Sequence, residues 1–236
     1  MVREVVSVAL FAFALAGCAV TTTSVPPSGQ GTPPASPRVT ADQINRSFVE
    51  VVRTVEPVAE RECRARTSRV NCNFLIVVDD RPDQPPNAFQ TVDKSGQPII
   101  AFTLQLIDDA RNEDELAFVL SHEAAHHIAG HIDRQQQSAV ANAVVAGGLA
   151  VLLGADDAGV QEAQKAGAQV GARIFSKQFE LEADALGTVR AARAGYDPVR
   201  GAEFFNRIPD PGNRFLGTHP PNAQRIATVR RVASGL

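Results

Sequence analysis

His122, Glu123 and His126 form the pattern H-E-x-x-H within the stretch EDELAFVLSHEAAHHIAGHI, Glu113 to Ile132. On a helix, positions four apart lie about 40° apart in azimuth and about 6 Å apart along the axis. His122 and His126 can therefore aim ring nitrogens at one point, with Glu123 to one side of the line joining them. Two neutral imidazoles suit Zn2+, and the adjacent carboxylate suits a base acting on water activated there. The plain alternative is a helix with a few surface histidines, because so short a pattern also arises by chance. Asn112 with Glu115 makes a helix cap, and Leu116, Val119 and Leu120 supply an apolar face, so the stretch reads as a helix. It lacks a third ligand.

A second acidic stretch supplies a candidate. In Ser176-Lys177-Gln178-Phe179-Glu180-Leu181-Glu182-Ala183-Asp184, Glu180 and Asp184 stand four apart and share a helix face, while Glu182 points about 160° away. A zinc site short of one ligand would take Glu180, and Asp184 could accept the other N–H of a ligand histidine and fix its tautomer. Such a cluster is usually a solvated acidic face. It is the pairing of H-E-x-x-H with E-x-x-x-D on a later helix that favours a site.

The remaining histidines divide. His131 follows His122 by nine residues, about 180° around a continuous helix, and is expected to take no part in the same metal. A metzincin pattern is excluded, because its third histidine would fall at Ile132. His127 faces away and reads as structural or exposed. His219 precedes Pro220-Pro221 in a loop, free to turn inward, with loop stabilisation as the other reading.

Other segments must position these groups. A helix is expected from about Ala41, capped by Asp42, with Pro57 kinking or ending its first part. Asn73 to Val78, Asn87 to Val92 and Pro98 to Phe102 read as three strands of a small sheet, antiparallel in part. A short helix over Thr103 to Ala110 leads into the H-E-x-x-H helix. Ala139 to Gly154 is apolar yet shorter than a membrane span; a core helix or a flap over the site is expected, with a membrane-touching hairpin as the other reading. Val160 to Ala194 reads as one long helix ending at Gly195. Asp197 caps a helix through Ile208, and a last helix runs from Asn222 to Val232. The fold class is α+β, mostly helical, with the small sheet beside the H-E-x-x-H helix.

The chain has 236 residues, 44% of them hydrophobic, enough for one domain with appendages. A net charge of −3 gives no electrostatic footprint for nucleic acid, and no nucleic-acid partner is expected. Residues 1–17 read as a signal peptide: Arg3 precedes the apolar run Val5 to Gly17, and Leu15-Ala16-Gly17-Cys18 fits the lipobox of bacterial lipoproteins. An ordinary cleavable signal is the alternative. Lipidated at Cys18, the chain would be anchored to a membrane, and Ala19, not Asp, at the next position favours the periplasmic side of the outer membrane. Residues 18–40, rich in Pro, Ser and Thr, read as the anchor and a disordered tether, and 41–236 as the folded domain. In an exported protein Cys63 and Cys72 are expected to pair as a disulfide.

HEAAHHIAGH, then SKQFELEADALG, then THPPNAQRI resemble three motifs of the HtpX-type and prenyl-protease-type zinc metallopeptidases of the gluzincin group, above all their periplasmic lipoprotein (BepA-like) branch. The resemblance covers about Ala41 to Ala233, and Lys177 stands where that family usually has Arg. Position by position, it implies a gluzincin-like metallopeptidase domain holding one Zn2+ on His122, His126 and Glu180. Glu123 would be the general base, Asp184 a support behind a ligand, and His219 a group steadying the oxyanion or capping the zinc.

The expected function is zinc-dependent endopeptidase action on unfolded or misfolded cell-envelope proteins, alongside envelope assembly machinery. The stretch Asn87-Ala88-Phe89 could pair with extended substrate by β-addition. Two other readings stand beside it: a non-catalytic envelope lipoprotein acting as a chaperone or assembly factor, which needs no base, and a domain with a closed structural zinc.

Overall fold

The computed structural model describes residues 41–212 and 219–236. The expected signal peptide, Cys18 and the expected tether through residue 40 lie outside the described residues. Helix α1, Ala41–Arg66, buries Val51, Val55, Val58 and Ala59 at helical spacing. It runs on through Pro57, where a kink or an end was expected. Pro57 lies on the exposed face, as does Arg53 one turn earlier, so the carbonyl deprived of its helical partner is open to water.

Three strands follow, β1 (Leu75–Asp79), β2 (Ala88–Val92) and β3 (Pro98–Thr103), in the order β1-β3-β2. β3 pairs parallel with β1, Ile100 opposite Ile76, and antiparallel with β2, Ala101 opposite Phe89. β2 is therefore an edge strand. Thr103 ties its start to the next element: its hydroxyl accepts from Asn87 N at 2.9 Å and from Leu106 N at 3.3 Å, capping α2 (Leu104–Asp109).

Helix α3, Glu113–Ile128, opens on Asn112, whose side chain accepts from Glu115 N at 3.1 Å. Glu115 is itself buried and gripped by Arg207 at 2.6 and 2.7 Å. One core joins α1, the sheet, α3 and the C-terminal helix α8 (Asn222–Ala233), with Val51, Phe74, Phe102, Phe118, Leu120, Phe205 and Val229 in contact. Cys63 and Cys72 are joined in a disulfide that ties the end of α1 to the approach to β1.

Helices α4 (His131–Leu152) and α5 (Asp157–Ile174) form an antiparallel hairpin. Only His131 and Gly147 of α4 are buried, and Val144, Val145, Leu152 and Leu153 stand exposed, Leu152 at 84%. Of the readings for 139–154 the core helix is overturned, because the segment forms one arm of an outward-facing hairpin. Among the described residues, no helix is long and apolar enough to cross a membrane. The single long helix expected from Val160 to Ala194 is also two: α5 stops at Ile174 and α6 spans Ser176–Arg193. The break has a physical cause. α5 packs along α4 while α6 packs on α3, and one straight rod cannot follow both. After Gly195 the helix capped by Asp197 is short, α7 (Pro198–Gly201), and continues as a 3-10 turn over Ala202–Asn206, not as α-helix to Ile208.

Candidate active site

Helix α3 carries His122, Glu123 and His126, α6 carries Glu180 and Asp184, α8 carries Arg225, and His219 lies just before α8. The two principal helices touch closely. A Cβ on Gly187 would stand 3.1 Å from both N and Cα of His122, so α6 packs on the α3 backbone where the first histidine leaves it. From that contact Glu180, two turns earlier on α6, reaches across to both rings.

His122 Nε2 and His126 Nε2 are 3.0 Å apart. Glu180 Oε2 lies 3.5 Å from His122 Nε2, and Glu180 Oε1 lies 3.5 Å from His126 Nε2. A tetrahedral ion with arms of about 2.0–2.1 Å spaces its ligands roughly 3.3–3.4 Å apart. Two imidazoles and a carboxylate at these separations fit Zn2+ in both size and donor chemistry. Among the described residues these three side chains form the one group able to hold a metal ion.

Electrostatics push the proton affinities of the two carboxylates apart. Burial opposes charge on Glu180, but hydrogen bonds with His122 and His219, and the Arg225 charge, outweigh it and hold the group well below the usual carboxylate range. Glu123 moves the other way. Burial raises its pKa and Glu180 adds to the rise, against the opposing effects of His122 and Arg225. One carboxylate is thus kept ionised as a ligand would be, and its neighbour is made readier to take up a proton.

Asp184 is fully buried and its Oδ1 lies 3.0 Å from His122 Nδ1. It accepts from that nitrogen and leaves Nε2 facing His126 and Glu180. Burial and Arg225 disfavour charge on His122, yet Asp184 and Glu180 outweigh them and hold its pKa at about 9. His126 is driven down to about 3, first by burial and then by His122. His219 Nδ1 lies 3.2 Å from Glu180 Oε2, on an exposed ring.

Two groups were not legible as part of the site. Arg225 is buried and binds Asp184 through Nε at 2.8 Å and Nη2 at 2.6 Å, with Nη2 also 3.4 Å from Glu180 Oε2. It lies within the motif THPPNAQRI, but its spacing from the ligands gives no sign of contact. For His131 it is the expected position that is corrected; the group able to hold a metal ion does not include it. The residue does not lie half a turn round one helix, because α3 ends at Ile128 and Gly130 adopts a left-handed conformation with φ 65°. The reversal returns His131 to the site, its Nδ1 2.9 Å from His126 Nδ1. A glycine four residues after His126 is the signal that could have warned of the break. His127 turns away, bonding Asn71 O at 2.8 Å and packing edge-on to Phe74.

The side chains open onto a cleft of about 880 Å³, whose walls include Asn87, Ala88, Phe89, Phe118, Phe204 and Ile208. Chemically this is a concave site with a group able to hold a metal ion, a buried carboxylate beside it and, among the described residues, an edge strand alongside.

Similar arrangements of sequence occur in known proteins. The chain is 32% identical over 136 residues to the beta-barrel assembly-enhancing protease of Yersinia pestis and, at the same identity and length, to that of Escherichia coli (strain K12). A Vibrio cholerae serotype O1 protein provisionally given the same name is 34% identical over 137 residues. Each match covers 52% of this chain and only 28% of the relative. Residues 45–233 match peptidase family M48, so the match spans the α1-to-α8 domain with every residue of the triad inside it, and the chain belongs to that family of metallopeptidases.

Proposed function

We propose that the chain is a zinc-dependent endopeptidase that cleaves unfolded or misfolded cell-envelope proteins. The observation that carries this reading is the convergence of His122, His126 and Glu180 beside a buried Glu123 whose proton affinity is raised. Those three residues would hold Zn2+, which when bound supplies a Lewis acid for a peptide carbonyl and lowers the pKa of water toward about 7.

The chain's own groups do the rest. Glu123 takes the proton of the attacking water on its carboxylate and delivers it to the departing amine. His219, exposed on the cleft with its Nδ1 3.2 Å from Glu180, would swing that N–H from Glu180 to the carbonyl oxygen as negative charge develops there. Asp184 and Arg225 keep His122 oriented. The outer edge of β2 at Ala88 would pair with the backbone of an extended substrate, whereas Asn87, just before β2, spends its N–H and C=O on Thr103, and Phe89 next along turns its own toward β3. Backbone pairing tolerates many sequences but demands an extended chain, which suits unfolded polypeptide.

The compartment follows from three supports: the lipobox ending at Cys18, the Cys63–Cys72 disulfide, and similarity to proteases named for beta-barrel assembly. They support a chain lipid-anchored at Cys18 on the periplasmic side of the outer membrane, working beside the envelope assembly machinery. Unfolded barrel proteins are then the substrate class.

Digestion of casein and of an unfolded porin by wild type and by Glu123→Gln tests the reading. Cleavage by wild type, lost by several orders of magnitude in the variant, supports it. Equal cleavage by both would remove Glu123 as the base. Client binding without cleavage by either would favour the chaperone reading.

A further inference from the structure

We propose that His131, backed by Glu182, is a positioning residue that fixes the tautomer of His126 for metal binding; the proposal rests on the metal centre described above. His131 Nδ1 and His126 Nδ1 lie 2.9 Å apart, so a single proton is shared between them. On the far side of the ring, His131 Nε2 is 3.2 Å from Glu182 Oε2. A carboxylate accepts and does not donate, so the His131 proton belongs on Nε2 and its Nδ1 is the acceptor. The shared proton therefore sits on His126 Nδ1. His126 Nε2 is left with a bare lone pair, on the side of His122 and Glu180, which is what a metal ligand requires.

The surroundings are built to hold this chain of contacts. His131 is only 4% exposed and stacks on Phe179, centroids 4.6 Å apart with the planes 12° from parallel. Arg134 covers the other parts: its Nη1 bonds Glu182 Oε2 at 2.9 Å and its guanidinium lies 4.4 Å from the Phe179 ring centre. The left-handed Gly130 makes the geometry possible by starting a new helix at His131. The two ligand histidines are thus oriented differently. Asp184 reaches His122 directly, whereas Glu182 reaches His126 through an interposed imidazole.

Full-length wild type, His131→Phe and His131→Asn are titrated with Zn2+ against a chromophoric chelator, and the melting temperature of each metal-stripped chain is recorded. Phe preserves the stacking on Phe179 but offers no acceptor. Asn loses the stacking but keeps a side-chain oxygen near the Nδ1 position. The expected result is a loss of about 10–100-fold in Zn2+ affinity in His131→Phe, with most of it recovered in His131→Asn. The reverse order, with Phe binding like wild type and Asn weakened, would show a packing role and overturn the proposal. Equal affinities in all three would overturn it too, while leaving the metal centre standing. No Zn2+ uptake by folded wild type would remove the centre and the proposal together.

Discussion

Arg225 grips Asp184 with two nitrogens, at 2.8 and 2.6 Å, and both side chains are withdrawn from solvent. The pair joins α8 to α6 directly behind His122, so a contact between two helices also sets the orientation of a ring on a third. Removing one member of a buried pair strands the other charge at a cost of about 3–5 kcal/mol. Arg225→Met keeps the bulk and removes the charge, leaving Asp184 and Glu180 without their common counterion. A fall in melting temperature of roughly 6–20 °C is expected by circular dichroism. A melt within about 2 °C of wild type would show that the pair holds nothing together.

Gly187 makes a separate case, in which the fold barely changes and the site does. A methyl group there meets the His122 backbone at 3.1 Å, and backbone cannot swing aside as a long side chain would. Overpacking costs about 1–3 kcal/mol, against about 1 kcal/mol gained by replacing a helical glycine with alanine. Gly187→Ala should therefore melt no higher than wild type despite its better helix propensity. As α6 is pushed off α3, Glu180 moves relative to the two rings, and Zn2+ affinity in a chelator competition should fall by about tenfold or more. Unchanged affinity together with a higher melting point would mean that α6 accommodates the methyl group freely.

Much of this arrangement could be read in the chain itself. His122 with His126, and Glu180 with Asp184, were visible because helical spacing fixes which residues share a face, the two pairs were joined by occurring together, and the three strands showed as short β-rich runs bounded by turns. What escaped was decided by tertiary partners. No periodicity reveals that α5 and α6 pack on different helices, so the break at Phe175 was lost. The place of His131 depended on a single left-handed residue, Gly130, which turned an apparent half-turn offset into direct contact with His126. The apolar run after residue 139 misled because hydrophobicity usually signals burial, yet here one face packs on α5 and the rest faces outward.

The hairpin's outer face leads to a prediction about solubility. Leu152 and Leu153 are 84% and 77% exposed near its tip. Little burial is lost on replacing them, and surface changes of this kind usually shift stability by less than about 0.5 kcal/mol. Leu152→Ser with Leu153→Lys should leave the melting temperature within about 2 °C of wild type. It should also reduce concentration-dependent light scattering. A large drop in melting temperature would reveal that the tip packs against part of the chain.

The disulfide should act through the unfolded chain more than through the site. Cys63 and Cys72 close a loop of sequence separation 9. Loop-closure entropy for that length corresponds to about 2.5 kcal/mol. Cys63→Ala with Cys72→Ala is expected to lower the melting temperature by roughly 5–10 °C. Reductant should destabilise wild type by a similar amount and leave the double variant unmoved. A wild type indifferent to reductant would argue against the bond as a source of stability.

Metal removal separates a working zinc from one that merely holds the fold. The donors have protein partners of their own: His122 has Asp184, His126 has His131, and Glu180 has Arg225 and His219. The core around Phe102, Phe118, Leu120 and Val229 is built of apolar contacts that need no ion. Excess chelator should therefore abolish proteolysis while the far-ultraviolet circular dichroism at 25 °C stays unchanged. The melting temperature should drop, because an ion present at a thousand times its dissociation constant adds about 4 kcal/mol by mass action. Restored Zn2+ should return both activity and melting point. Loss of the helical signal at 25 °C on chelation would identify the ion as structural instead, since a fold that depends on its metal comes apart when the metal is withdrawn.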